Sequence, residues 1–157
     1  QSDCQDIFCH VLGIDAHLIE VEVDVTVGMS VFNIVGLPDG TIKESRDRVL
    51  SAVNNSGFSF PVRRVVVNLA PAPLRKIGSG FDLPIALALL GTMGLFPPEN
   101  LSRAMVVGEL SLDGEIWPVR GILPVAVATK DHELEQLILP KANEADAAVF
   151  TGIRRFF

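Results

Sequence analysis

Residues 18–27 alternate along the chain, with Val21, Val23, Val25 and Val27 on one face and Glu20, Glu22 and Asp24 on the other. A period of two with carboxylates outside predicts a half-buried strand. Gly28-Met29-Ser30 turns it into a second strand at 31–35, which residues 36–40 (GLPDG) interrupt. The next stretch changes period. Ile42, Val49 and Val53 fall on one helical face, while Lys43, Glu44, Arg46, Asp47 and Arg48 form a charged outer face. Thr41 and Glu44 have capping-box spacing, and Asn55-Ser56-Gly57 ends the helix.

Strand character returns at 62–69, where consecutive Val65, Val66 and Val67 predict burial on both faces. After a loop rich in Pro, basic residues and Gly, Asp82 stands two residues before Pro84 and is expected to cap a helix running to about residue 93. Residues 104–110 and 115–119 read as strands joined by Asp113-Gly114, a strong hairpin signal. A helix is expected at 121–129, a strand at 135–139 and a short helix at 141–148. The predicted order is ββαβαββαβα. With no Pro/Gly-rich linker and no internal repeat, residues 1–157 are expected to form one α/β domain.

The bulk composition narrows the function. The 157 residues are 48% apolar and 20% charged, ordinary values for a globular chain. The richest apolar run, residues 83–95, is shorter than the roughly 18–20 residues a membrane span needs, so no membrane partner is expected. A net charge of −6 opposes a general grip on nucleic acid, which requires many Lys and Arg against phosphates. Two cysteines, Cys4 and Cys9, are too few for a disulfide framework and read as free thiols. The sequence has no initiator Met and no signal peptide, and reads as a piece of a longer, cytoplasmic chain.

Candidate chemistry concentrates at residues 68–90, NLAPAPLRKIGSGFDLPIALALL, where a strand passes through a Gly loop into a helix. A helix N-terminus offers unpaired N–H groups, suited to an anion or to presenting a nucleophile. A phosphate-binding loop needs GxxxxGK followed by Ser or Thr, and Gly78-Ser79-Gly80-Phe81-Asp82 after Lys76 has the wrong order. The dinucleotide pattern GxGxxG fails at Leu83. Two uses remain: a tight turn that lets strand and helix pack closely, or contact with an anion or peptide through loop N–H groups. Arg63, Arg64, Arg75, Lys76, Gly78, Ser79, Gly80 and Asp82 are the candidate contact residues, a local basic patch on an acidic chain.

Ser79 as a nucleophile would need a base within hydrogen-bond reach. His10, His17 and His132 have no motif around them and are expected on the surface. The lysines are Lys43, Lys76, Lys130 and Lys141, and Lys76, beside Arg75, reads as a solvated charge. In residues 108–121, GELSLDGEIWPVRG, hairpin grammar explains Asp113-Gly114, an outer face explains Glu109 and Glu115, and Trp117 is expected to anchor packing. No metal-ligand spacing such as HExxH or DxDxDG occurs, and no catalytic or metal-binding residue is assigned.

VFNIVGLPDGTIKESRDRV (31–49), NSGFSFP (55–61), VNLAPA (67–72), GSGFDLPIALALL (78–90) and the 108–121 segment together resemble the N-terminal domain of the ComM-type magnesium-chelatase-like proteins. The resemblance extends over about residues 11–149, and this domain in turn looks like the proteolytic domain of Lon proteases. It implies a two-layer α/β sandwich with a left-handed βαβ crossover, an exception to the usual hand. It also implies a following AAA+ ATPase module that carries the P-loop and uses ATP and Mg, none of which this segment is expected to bind. The implied partners are that module, neighbouring subunits of a homo-oligomeric ring and, through the whole protein, DNA during branch migration in natural transformation. The magnesium-chelatase label reflects the ATPase part and does not by itself imply metal insertion into a porphyrin.

Lon proteases use a Ser at the start of the helix after a Gly loop and a Lys in the helix after the hairpin. Aligned on those elements, Gly80 takes the Ser position, Ser79 falls one residue off, and Leu123 takes the Lys position. No Lys occurs between residues 77 and 129. The expectation is therefore a hydrolase scaffold without its catalysis, serving as an accessory domain. The alternatives are a Lon-type peptidase with a rearranged Ser79–Lys76 dyad, or a magnesium-chelatase subunit.

Overall fold

The computed structural model describes residues 7–12, 18–36, 39–70, 80–147 and 154–156. Strand β1 (Ile7–Leu12) pairs antiparallel with β2 (Leu18–Thr26), which pairs antiparallel on its other side with β4 (Arg64–Ala70). The alternation in β2 does what its period dictates: Ile19, Val21, Val23 and Val25 are buried, and Glu20 is exposed. Strand β3 (Val31–Val35) lies parallel to β4 and reaches it through helix α1 (Asp39–Asn55). Beyond β1 the sheet continues in parallel through β5 (Ala104–Val106), β8 (Gln136–Ile138) and β9 (Arg154–Phe156), giving the order β3-β4-β2-β1-β5-β8-β9. The mixed, mostly parallel sheet places the chain in the α/β class.

Helix α2 (Asp82–Thr92) packs on β1, β2 and α1, and Ile85, Ala88 and Leu89 are fully buried there against Val21, Val23, Val65 and Val67. A second apolar cluster joins Met105 and Leu137 to Ile122, Val125 and Ala126 of α3 (Ile122–Asp131) and to Ala147 of α4 (Glu144–Ala147). Asn143 ties this part together, donating from Nδ2 to the Val119 carbonyl and accepting from the Val119 N–H. A separate two-stranded sheet is formed by β6 (Glu109–Leu110) and β7 (Ile116–Trp117), with Gly114 in the left-handed region at the turn.

Several expectations need correction. β1 and β9 were not expected, and the strand predicted at 104–110 is two strands, because the chain breaks at Val107–Gly108, where the Gly108 carbonyl accepts the Leu83 N–H. Val66 is only half-buried, so β4 is covered on one face, by Val65, Val67 and Leu69. Helix α1 starts at Asp39, which puts Thr41 inside it and not at a cap. Phe81 caps α2 without a side-chain bond, and Asp82 is its first residue. Trp117 is 52% exposed and anchors little.

His10, expected at the surface, is half-buried between β2 and β5. Burial holds its pKa below the ordinary 6.5, with Arg103 and His132 adding to the effect and Glu20 and the Ala104 backbone opposing it. The unfolded chain therefore takes up the proton more readily than the folded one. Stability is expected to fall as the pH drops below about 6.5, and His10→Gln should flatten that fall. Urea midpoints at two pH values, in both proteins, measure the difference.

Candidate functional site

The start of α2 is the part of the fold where the Gly loop was expected to act. Residues 71–79 lie outside the described residues, so Arg75, Lys76, Gly78 and Ser79 are not placed by the structure. Gly80 is half-buried in the turn before α2. Asp82 is not on that surface at all: its side chain is 0% exposed. The reason is a set of partners that complete its oxygens. Arg48 donates from Nε to Oδ2 at 2.5 Å and from Nη2 to Oδ1 at 3.2 Å. Ser45 donates its hydroxyl to Oδ1 at 2.9 Å, and the Leu110 N–H reaches Oδ2 at 3.4 Å.

This network joins three elements, α1 through Ser45 and Arg48, α2 through Asp82 and the hairpin through Leu110. A forked guanidinium matching both carboxylate oxygens is the strong form of such a contact. Burial pushes the Asp82 carboxyl above its usual range, against the pull of Arg48 first, then Ser45 and Leu110. The bond to Asp82 holds Arg48 above its own ordinary value. The charge pattern puts Arg48 on the outer face of α1, but of those five charged residues only Lys43, Glu44 and Asp47 are exposed, and Arg46 and Arg48 are half-buried. One signal was available: Ser45, Val49 and Ala52 share the inward face, and Arg48 borders it one residue before Val49. An Asp within the apolar run FDLPIALAL must cap, pair or neutralise.

Lys43, Lys130 and Lys141 are exposed. Leu123, aligned with the Lon lysine, is 55% exposed at the start of α3. Cys9 is buried, with its thiol donating to the Pro84 carbonyl, and burial pushes its pKa up, away from thiolate chemistry. Among the described residues no group of three His, Cys, Asp or Glu side chains is placed to hold a metal ion, and no helix is long and apolar enough to cross a membrane. The sequence has no GxxxxGK[ST] loop.

Arg63 and Arg64 sit elsewhere. Both are exposed where the β2–β3 turn meets the start of β4: Arg64 pairs in register with Thr26 and Val31, and the Val31 N–H donates to the Arg63 carbonyl. Around them Val27, Met29 and Val62 are 84%, 80% and 83% exposed, the most open large apolar side chains among the described residues. An apolar tip flanked by two guanidiniums is a surface suited to a partner. The sequence pointed to the arginines and missed the apolar residues, since Val27 was expected inside β2.

Comparison with known proteins agrees with the motifs. The sequence model for subunit ChlI of Mg-chelatase matches residues 21–143. Competence protein ComM of Haemophilus influenzae is 38% identical over 146 residues, covering 93% of this chain and 28% of that protein. Uncharacterized protein YifB of Escherichia coli K12 is 41% identical over 142 residues, 90% of this chain and 28% of that one. An uncharacterized protein of Mycobacterium tuberculosis H37Rv, Rv2897c, is 42% identical over 143 residues, 91% and 28% of the two chains. The chain thus spans about 28% of the length of these curated relatives. A more distant likeness, 24% over 135 residues, joins 82% of this chain to 16% of Lon protease 2 of Thermus thermophilus, in keeping with a Lon-like fold. Because the family match takes in most of the chain, the protein belongs to the magnesium-chelatase ChlI family, in its ComM-type form.

Proposed function

We propose that this chain is a non-catalytic accessory domain of a ComM-like AAA+ ATPase that is cytoplasmic, assembles as a homo-oligomeric ring and acts on DNA. ATP and Mg belong to a module outside these residues. The observation that carries the reading is the state of the α2 start. Where a Lon-type hydrolase builds its nucleophile, this chain has Gly80 and then Asp82, whose side chain is closed off by Arg48 and Ser45. A hydroxyl without a base is a poor nucleophile, and losing either member of a Ser–base pair removes most of the rate. ATP hydrolysis by residues 1–157 alone would reject the accessory role.

The tip carrying Arg63 and Arg64 is the proposed contact with DNA, with the loop of Arg75, Lys76, Gly78 and Ser79 as the other candidate. Two guanidiniums against phosphates give affinity that weakens with salt, with a slope of about 0.9 per contact. In the complete protein, Arg63→Glu with Arg64→Glu is expected to weaken DNA binding at least about tenfold and to make its salt dependence shallower by about two contacts. Titration of labelled duplex at several salt concentrations measures both. Unchanged affinity rejects this tip as a DNA contact.

A further inference from the structure

The tip where the β2–β3 turn meets the start of β4 has a shape as well as a charge. Strands β2 and β3 flank β4, with Thr26 and Val31 in register with Arg64 on its two sides, so residues 27–30 bridge across the β4 end. Two strand spacings make that bridge roughly 10 Å wide. The turn lies against Arg64, whose Cβ would stand 3.7 Å from a Cβ added to Gly28. Val27 and Met29 on the turn, and Val62 just before β4, are thereby carried almost wholly exposed at one end of the sheet.

The charge there has one sign. Residues 27–31 and 62–64 include two arginines and no Asp or Glu. Neither Arg63 nor Arg64 is in an ion pair among the described residues. The surface therefore suits an anion that also offers apolar contact. A projecting tip has no cleft for a small ligand, whose sites are concave. A lipid surface fits less well, because the Trp and Tyr residues that anchor at it are absent from the tip. Behind the tip β2 also carries Glu20, Glu22 and Asp24, which a flat anionic leaflet would repel.

DNA meets both demands, but in separate places. Its phosphates suit the guanidiniums, whereas its groove edges are polar apart from the thymine methyl. Broad apolar contact lies on base faces, which open only where the stack is broken. Apolar side chains inserted at a base step hold such a break open. We infer that Val27 and Met29 wedge into DNA at an unstacked base step, with Arg63 and Arg64 on the phosphates beside it. This rests on the proposed reading of the tip as a DNA contact, and adds the kind of DNA it takes: duplex already unstacked at a bulge or mismatch.

The test titrates the complete protein with labelled duplex, either intact or carrying a one-base bulge beside 2-aminopurine. The bulged duplex is expected to bind at least about tenfold tighter, because it costs less to unstack, and 2-aminopurine fluorescence should rise on binding. Val27→Ser with Met29→Ser, both at exposed positions, should remove the preference and the fluorescence rise while leaving salt dependence intact. Val27→Leu with Met29→Leu should keep both. If the unaltered protein shows no preference, or the serine variant retains it while Arg63→Glu with Arg64→Glu weakens binding, the tip has no wedge and the inference is overturned. If the arginine reversal changes nothing, the DNA contact itself fails and the wedge with it. Vesicles of phosphatidylcholine and phosphatidylserine supply the last arm. Association with them that the serine variant loses, with its DNA binding unchanged, assigns the tip to a lipid surface and overturns the inference.

Discussion

Replacing Arg48 with Met is expected to lower the unfolding free energy by about 3–5 kcal/mol, the usual cost of stranding one member of a buried pair. The cause is Asp82, whose side chain is fully enclosed and would keep only the Ser45 hydroxyl and the distant Leu110 N–H. Burial already raises the Asp82 pKa, and Arg48 is the largest influence opposing it. Without that opposition the folded-state value moves further above the unfolded one. A folded pKa above the unfolded value means stability is kept in acid and lost as the pH rises through the unfolded pKa towards the folded one. The gap between wild type and Arg48→Met should therefore narrow as the pH falls towards about 4. Adding Asp82→Leu removes the stranded charge, so the double variant should recover part of the loss, a coupling that urea unfolding of the four proteins measures. Additive losses at all pH values would contradict the buried clamp.

Gly36→Ala is expected to cost about 3 kcal/mol or more, from two sources acting together. Gly36 has φ +103°, where a side chain is strained, and a Cβ there would stand 2.4 Å from the Leu69 carbonyl oxygen. Leu69 is fully buried in β4, so its backbone has no room to retreat. Gly57 supplies the control. It has φ +90° but nothing within 4 Å of the added atom, so Gly57→Ala should cost only the conformational penalty, about 1–2 kcal/mol. Thermal unfolding of the two variants separates strain from collision, and equal losses would mean that Gly36 is not pressed against β4.

Local periodicity carried much of this fold into view. β2, β3, α1 and α2 were legible because alternation and helical spacing are short-range properties, decided by which face meets the core. The Lon-like expectation came from long motifs, not from periodicity. β1 escaped because IFCHVL has no clean polar alternation, whereas Asp113-Gly114 announced the β6–β7 hairpin, whose strands are shorter than the periodicity suggests. The site was less legible. Nothing local links Arg48 to Asp82, which are 34 residues apart, so a charge on a helix surface looked solvated until its partner was known. The same blindness hid the exposed tip, where Val27, Met29 and Val62 carry apolar side chains on turns.

A serine-directed fluorophosphonate offers the most direct test of the proposed non-catalytic role. Incubated at neutral pH with the complete protein and followed by peptide mapping, it should leave residues 1–157 unlabelled. Label appearing there and vanishing in Ser79→Ala would show an activated hydroxyl, and with it a working peptidase in place of an inert scaffold.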